Sequence, residues 1–373
     1  MTLIRRCLTP PAPASRARGS AATLALSLGV GVAACCWTAA AWAQTAGALD
    51  PVLIAGTGTW SETQAKQVTD HLRANVGPML TGDEPTIERS RDAILAPFRT
   101  AGVSEPFIRQ YARAVAREIA PATQAQAVQV RINAMILTRE LPDPSALAPV
   151  AAGLQDQDSG VRYLAAVALN GMIVRELVPD DQRGRVMELV EQQLAQENSS
   201  FVAAPMFKSM LDAGAFAPLL KTLNDRVVWH VGRANVGFAP EAEALRGLYS
   251  RLFVGDGSPD QVRQLGRASV RYLRLAAQQL EAGNVANPES HVAIIRVAHT
   301  ALTSVRDGLN SSEPAPPDVV APITQQRWAD IVTIASRWAD LLQAPPVGLP
   351  AADLETLSGE APPAAEPAAA TTG

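Results

Sequence analysis

Along most of this chain apolar residues recur every three or four positions and not at every second one. Val161, Leu164, Ala165, Ala168, Leu169 and Met172 fall on one face of a helix in this way, and no convincing run of strand alternation occurs. The pattern predicts an all-α protein with no β-sheet. Ser61-Glu62-Thr63-Gln64 opens the first helix as a capping box, in which the Ser hydroxyl and the Gln side chain can satisfy free backbone N–H groups, and Gly77-Pro78 marks its expected end. Further helix starts are signalled by Ser104, by Asp180-Asp181, by Ser258-Pro259-Asp260-Gln261 and by Asn287-Pro288. Loops in the middle of the chain are short, which favours antiparallel helix pairs.

The pattern stops at both ends. Residues 44–60 carry Gly47, Pro51, Gly56 and Gly58 without periodicity and read as a flexible lead-in. From Ala344 the composition turns to Pro, Ala, Gly and Glu, with too few large apolar side chains to offset the entropy of ordering. Residues 344–373 are therefore expected to be a disordered tail.

Two segments repeat each other 31 residues apart, Val130-Arg131-Ile132-Asn133-Ala134-Met135 and Val161-Arg162-Tyr163-Leu164-Ala165-Ala166. The second follows a helix, Ala146 to Leu154, and the turn Asp156-Gln157-Asp158-Ser159-Gly160. That succession of helix, Asp-containing turn, Val-Arg pair and Ala/Leu-rich helix resembles a HEAT repeat. The likeness covers residues 145–175 well and 107–140 less well. A third unit, from about Arg185 to Gly214, has Phe201-Val202 where Val-Arg is expected and no preceding turn aspartate. The resemblance implies a short α-solenoid of HEAT-like hairpins with flanking helices, because a few such units must be closed by other elements to be stable. It also implies that Arg131 and Arg162 pair with turn aspartates, such as Asp156 and Asp158, of their own or the next unit. Such solenoids mostly bind other proteins and bring no chemistry of their own.

The first 43 residues read as a secretory leader. Arg5, Arg6, Arg16 and Arg18 precede an apolar run from Ala21 to Cys36, and Ala41-Trp42-Ala43 suits cleavage before Gln44. An alternative reads Val32-Ala33-Ala34-Cys35 as a lipobox, which would leave Cys35 as a lipid-anchored N-terminus. The organisation expected is thus a leader (1–43), a lead-in (44–60), HEAT-like repeats (61–240), C-terminal helices (241–343) and a tail (344–373).

Loss of the leader changes the chemistry available. All three cysteines lie within it, so the mature chain holds neither disulfides nor thiolate ligands. Removing four of the 32 basic residues leaves 28 against 36 acidic ones, and the net charge falls from −4 to −8. Such a balance argues against a general nucleic-acid binder.

Motifs for catalysis or metal binding are missing or broken. His291 and His299 share a predicted helix but sit ~12 Å apart along it, too far for one metal ion. Asp156-Gln157-Asp158 starts like a calcium loop, yet Gly160 and Val167 occupy the positions of later ligands. Gly56-Thr57-Gly58 and Gly255-Asp256-Gly257 do not continue into a phosphate-binding Lys-Ser/Thr. Trp328 and Trp338 lie with Ile331, Ala335 and Leu342 on an amphipathic stripe that reads as core. The densest run of unusual side chains is Trp229-His230-Val231-Gly232-Arg233, and Trp229, His230 and Arg233 are the candidate functional surface.

The expectation from sequence is a non-catalytic protein-interaction or scaffold module, exported to the periplasm or beyond, with no cofactor and no membrane span in the mature chain. Two alternatives stand beside it: a helical envelope enzyme acting on polysaccharide or peptidoglycan, and a structural surface protein anchored through Cys35.

Overall fold

The computed structural model describes residues 49–254, 257–283, 285–309 and 311–354. The leader with Cys35 and the expected cleavage before Gln44 lies outside the described residues, as do Gly255, Asp256 and residues 355–373 of the expected tail. The described residues fall in one unit that begins at Ala46.

They are helical from end to end, without a strand. In chain order the helices are α1 (Pro51–Ala55), α2 (Glu62–Thr81), α3 (Glu84–Leu95), α4 (Glu105–Glu118), α5 (Val128–Glu140), α6 (Leu147–Leu154), α7 (Ser159–Val174), α8 (Asp180–Gln196), α9 (Ser200–Asp212), α10 (Phe216–His230), α11 (Ala239–Val254), α12 (Pro259–Ala282), α13 (Pro288–Gly308), α14 (Val320–Thr324), α15 (Trp328–Gln343) and α16 (Ala351–Leu354).

Local chemistry sets most of these boundaries. Ser61 with Gln64 and Ser258 with Gln261 form complete capping boxes, and Ser104 and Asn287 cap α4 and α13 through their side chains. One expected boundary moves. α2 runs through Pro78 to Thr81 and is closed at Gly82, whose N–H bonds to the Pro78 carbonyl at 2.8 Å. Pro78 removes one bond of the last turn, but the fully buried Met79 anchors that turn, so the helix continues past it.

The helices stack in two layers. α3, α5, α7, α9, α11 and α13 each pack on the next in one layer, and α6, α8, α10 and α12 do so in the other. Small side chains permit the close approach: Ala165, Ala166 and Ala168 of α7 and Ala203 of α9 are fully buried between neighbours. The layers continue past residue 240, since α10 meets α12 and α11 meets α13. The long α12 is then covered by α13 and α15. There the Trp338 stripe is core, with Ile331, Ala335, Trp338 and Leu342 all inaccessible to solvent.

Both flanks are more ordered than their composition suggests. Of residues 44–60, those from 49 onward are described, and Leu49, Leu53 and Ile54 are buried. Ser104 donates its N–H to the Ile54 carbonyl at 3.1 Å and its hydroxyl to the Gly56 carbonyl. At the other end Val347, Leu349 and Leu354 are buried, and α12 holds the segment through Arg263 to the Val347 carbonyl (3.1 Å) and Arg274 to the Leu354 carbonyl (3.1 Å). Backbone hydrogen bonds to arginine thus replace the large apolar side chains whose scarcity suggested disorder. Among the described residues no helix is long and apolar enough to cross a membrane.

Candidate functional site

The repeated arginines build a ladder through the stack. Arg131, at the start of α5, grips the Asp156 carboxylate with Nε and an Nη (2.7 and 3.2 Å), and its other Nη donates to the carbonyls of Ala125 and Gln126. Arg162 repeats this one unit later. It grips Glu197 at 2.7 and 3.0 Å, and its free arm donates to the carbonyls of Asp156 and Gln157. Such forked, charge-assisted pairs fix geometry as well as charge. Both acids also order their own turns. Asp156 accepts from the N–H of Asp158 and Glu197 from that of Ser199, while Asp158 caps α7 by accepting from Gly160 and Val161. Glu197 therefore fills the place of the turn aspartate that the third unit lacks.

A third rung continues the ladder from an unexpected direction. The structural register differs by one residue from the expected Val202: six residues after Glu197, as Arg162 is after Asp156, stands Ala203, and Arg226 supplies the arginine from α10, in the other layer. Its Nη1 donates to the carbonyls of Leu194 (2.6 Å) and Glu197 (3.1 Å), and its Nε donates to Glu241 at 2.6 Å. Each acid is thus held twice: its carboxylate by the preceding arginine, its carbonyl by the following one. Asp156 links Arg131 to Arg162, and Glu197 links Arg162 to Arg226.

The residues singled out as a candidate surface surround this last rung, but only two of them reach solvent. His230 is wholly buried, with Nε2 3.1 Å from Glu241 Oε1, so it does not belong to a surface. It lies one turn after Arg226 on the same face of α10, and both converge on the carboxylate. Trp229 is half-buried. The guanidiniums of Arg226 and Arg233 lie over its ring at 4.4 and 4.6 Å, and Arg233 also donates to the Trp229 carbonyl.

The cluster extends into the C-terminal helices through residues that sequence reasoning missed. Phe238 packs between His230 (4.2 Å between ring centres) and His291 (4.8 Å). Gln279 of α12 donates to the His230 carbonyl and accepts at His291 Nε2, while His291 Nδ1 faces the Asn287 carbonyl, both at 2.9 Å. A neutral imidazole can donate to only one of those two oxygens. Gly237 is needed for the approach, since a Cβ there would lie 2.6 Å from Ser290 Oγ. Arg226, Glu241, Gln279 and His291 are spread over 66 positions of sequence and share no short motif. The nearest thing to a signal is the Arg226/His230 pair at helical spacing.

The electrostatics follow from burial. Burial raises the Glu241 pKa, but Arg226 and the hydrogen bond from His230 outweigh it and hold the carboxyl at about 2. His230 is held below its ordinary value by burial, partly opposed by Glu241, and burial lowers His291 as well. A His–Glu pair sealed from solvent on all sides cannot touch a substrate, so its chemistry is that of an internal clamp. Among the described residues no group of three or more His, Cys, Asp or Glu side chains could hold a metal ion.

The opposite side of α10 does face solvent. A groove of about 600 Å³ runs between α10 and α12, lined among others by Leu220, Asn224 and Val228 of α10 and by Gln264, Arg267 and Arg271 of α12. Comparison with known proteins gives no relative: no family model, no curated protein and no solved structure matches the chain.

Proposed function

We propose that this protein is a non-catalytic interaction module, an exported HEAT-like α-solenoid that presents its stacked helices to another protein in the bacterial envelope. The observation that carries the reading is the ladder from Arg131 to Glu241. It recurs from one helix pair to the next, uses the charged residues of the turns for internal pairing, and ends in a buried clamp. Export rests on the leader pattern of residues 1–43, and the binding role rests on analogy with other helical arrays.

The test is recovery of a partner by the tagged mature protein from envelope extract, followed by reconstitution of the complex from the two purified proteins. Mass spectrometry of the bait's own N-terminus goes with it. A start at Gln44 supports simple export, and a lipid on Cys35 supports the anchored form. A reconstituted protein complex supports the module. Retention of glycan with turnover, and no protein partner, would replace it with the enzyme reading.

A further inference from the structure

We infer that the turn edge of the repeats is the docking surface, and that it takes an uncharged, extended segment of a partner protein, held by its backbone; the inference rests on the interaction-module reading above. Three observations carry it. The first is a second periodicity beside that of the arginines. Gln124 and Gln126 stand seven and five residues before Arg131, Gln155 and Gln157 stand likewise before Arg162, and Gln196 and Asn198 before Ala203. Each turn thus brings two carboxamides, one on either side of the position held by Ala125, Asp156 and Glu197 in successive turns.

The second is where these amides lie. All six residues are exposed, and Gln124, Gln126, Gln155 and Gln157 line one groove of about 600 Å³ between the first two turns. Among the described residues the side chains of Gln124, Gln126, Gln157 and Asn198 make no hydrogen bond, while Gln155 and Gln196 use only their NH2 groups, on the Ala151 carbonyl and on Gln193. A carboxamide carries both a donor and an acceptor, and a peptide backbone offers the same two groups in return.

The third is charge and spacing. The charged side chains of this groove, Arg131 and Asp156, grip each other and are each 7% exposed, so a charged ligand finds no counter-ion there. Among the described residues no aromatic ring lines it for a sugar to stack on. Neighbouring helices of one layer lie about 8–10 Å apart. A polyproline II segment rises about 3.1 Å per residue with three residues per turn, so it presents equivalent backbone groups about every 9 Å, none of them bonded internally. One turn of such a segment therefore matches one repeat.

The experiment is fluorescence polarisation of the whole chain with a labelled, end-capped peptide of three Pro-Ala-Pro units, beside a peptide of nine prolines, which keeps the conformation but has no N–H to donate. The alanine-containing peptide is expected to bind equally in low and high salt, about fivefold tighter than the all-proline one. It is expected to lose about tenfold when Gln126→Ala and Gln157→Ala are combined, and nothing on Gln182→Ala at an exposed position of α8, with circular dichroism confirming that both variants fold. No binding of the peptide, indifference to the double change, or equal binding of the two peptides overturns the inference. Tighter binding of a neutral N-acetylglucosamine oligomer would make a glycan the occupant and overturn it as well. Pro362, Pro363 and Pro367 offer the same chemistry within the chain. Binding seen only when these three are changed to Gly would make the chain's own segment the occupant and overturn the partner reading. A reconstituted partner complex left intact by the double change sinks this site alone; absence of both partner and peptide binding sinks the module reading with it.

Discussion

The first two rungs of the ladder and the third do the same work by different routes. Arg131 with Asp156 and Arg162 with Glu197 are built from the start of one helix and the turn that precedes the next helix of the same layer. Each arginine steadies its own turn with its free arm. Arg226 with Glu241 brings together α8, α10 and α11, and its partners are fully buried. A local rung can be copied from unit to unit, because everything it needs travels within one stretch of chain. The third rung cannot be copied in this way; it forms only when both layers are already in place. Periodic chemistry therefore extends the array, and one aperiodic cluster joins it to the long C-terminal helices.

Substitution separates the two kinds most sharply. Arg226→Met leaves the Glu241 carboxylate buried without its main partner and is expected to lower stability by about 3–5 kcal/mol in urea unfolding. Adding Glu241→Leu should restore much of that loss, since an apolar pair of similar volume tolerates burial better than a lone charge. If Arg226→Met costs no more than a surface change, the clamp is not what joins the two regions. At the first rung, Arg131→Met is expected to cost less, about 1.5–3 kcal/mol, because the Asp156 carboxylate keeps the hydrogen bond from the Asp158 N–H and is 7% exposed, against none for Glu241. Equal losses at both positions would erase the distinction between local and long-range rungs.

Acid should act on the third rung and its neighbours before it acts on the first two. His230 and His291 have pKa values held below 6.5 by burial, so the unfolded chain binds more protons than the folded one as pH falls below 6.5. Their contribution is complete above pH 6.5 and is lost on acidification, and the urea midpoint should fall between pH 7 and pH 5. Glu241, held at about 2, adds a loss that begins only below its ordinary value of 4.5. A midpoint that stays flat or rises from pH 7 to pH 5 would contradict the sealed histidine cluster.

The smallest effect compares the ends of two successive helices in one layer. α7 and α9 close alike: Leu177 N–H bonds to the Met172 carbonyl at 2.8 Å, and Ala215 N–H to the Met210 carbonyl at 2.9 Å. The left-handed residue is Gly214 after α9 (φ 68°) but Glu176 after α7 (φ 57°). Glu176→Gly is expected to stabilise by about 0.5–1 kcal/mol, seen as a higher Tm, because glycine adopts that conformation without a Cβ clash. A lower Tm would mean that the Glu176 side chain contributes something the geometry does not reveal.

What could be read from the sequence follows the same division. The Ser61 capping box, the helix starts at Ser104 and Ser258 and the two Val-Arg openings are local signals that the structure matches, and Arg131 meets the turn aspartate Asp156; Arg162 instead takes Glu197, and Asp158 caps α7 without pairing with an arginine. Glu197 was illegible as a turn acid because it has one more methylene than the expected aspartate and follows the long α8. Arg226 was illegible because the position it serves, Ala203, lies 23 residues earlier and in the other layer. Residues 344–354 looked disordered by composition, yet arginines of α12 hold their carbonyls, an interaction that leaves no trace in a list of side chains. The groove was unreadable for the same reason: its two walls, around Asn224 and Arg267, meet only when α12 folds back along α10.

The ladder also has a direction, and so its two ends are unlike. Asp156 and Glu197 can each hand a carbonyl to a following arginine because both sit outside a helix, in turns where that oxygen is not already used. Glu241 sits in the first turn of α11, where its carbonyl enters the helix's own hydrogen bonding, and its carboxylate oxygen is shared with an imidazole. No further rung can start from it. The ladder of arginines and acids thus stops at a single residue, which ends the series by being helical while the stacking of helices goes on beyond it.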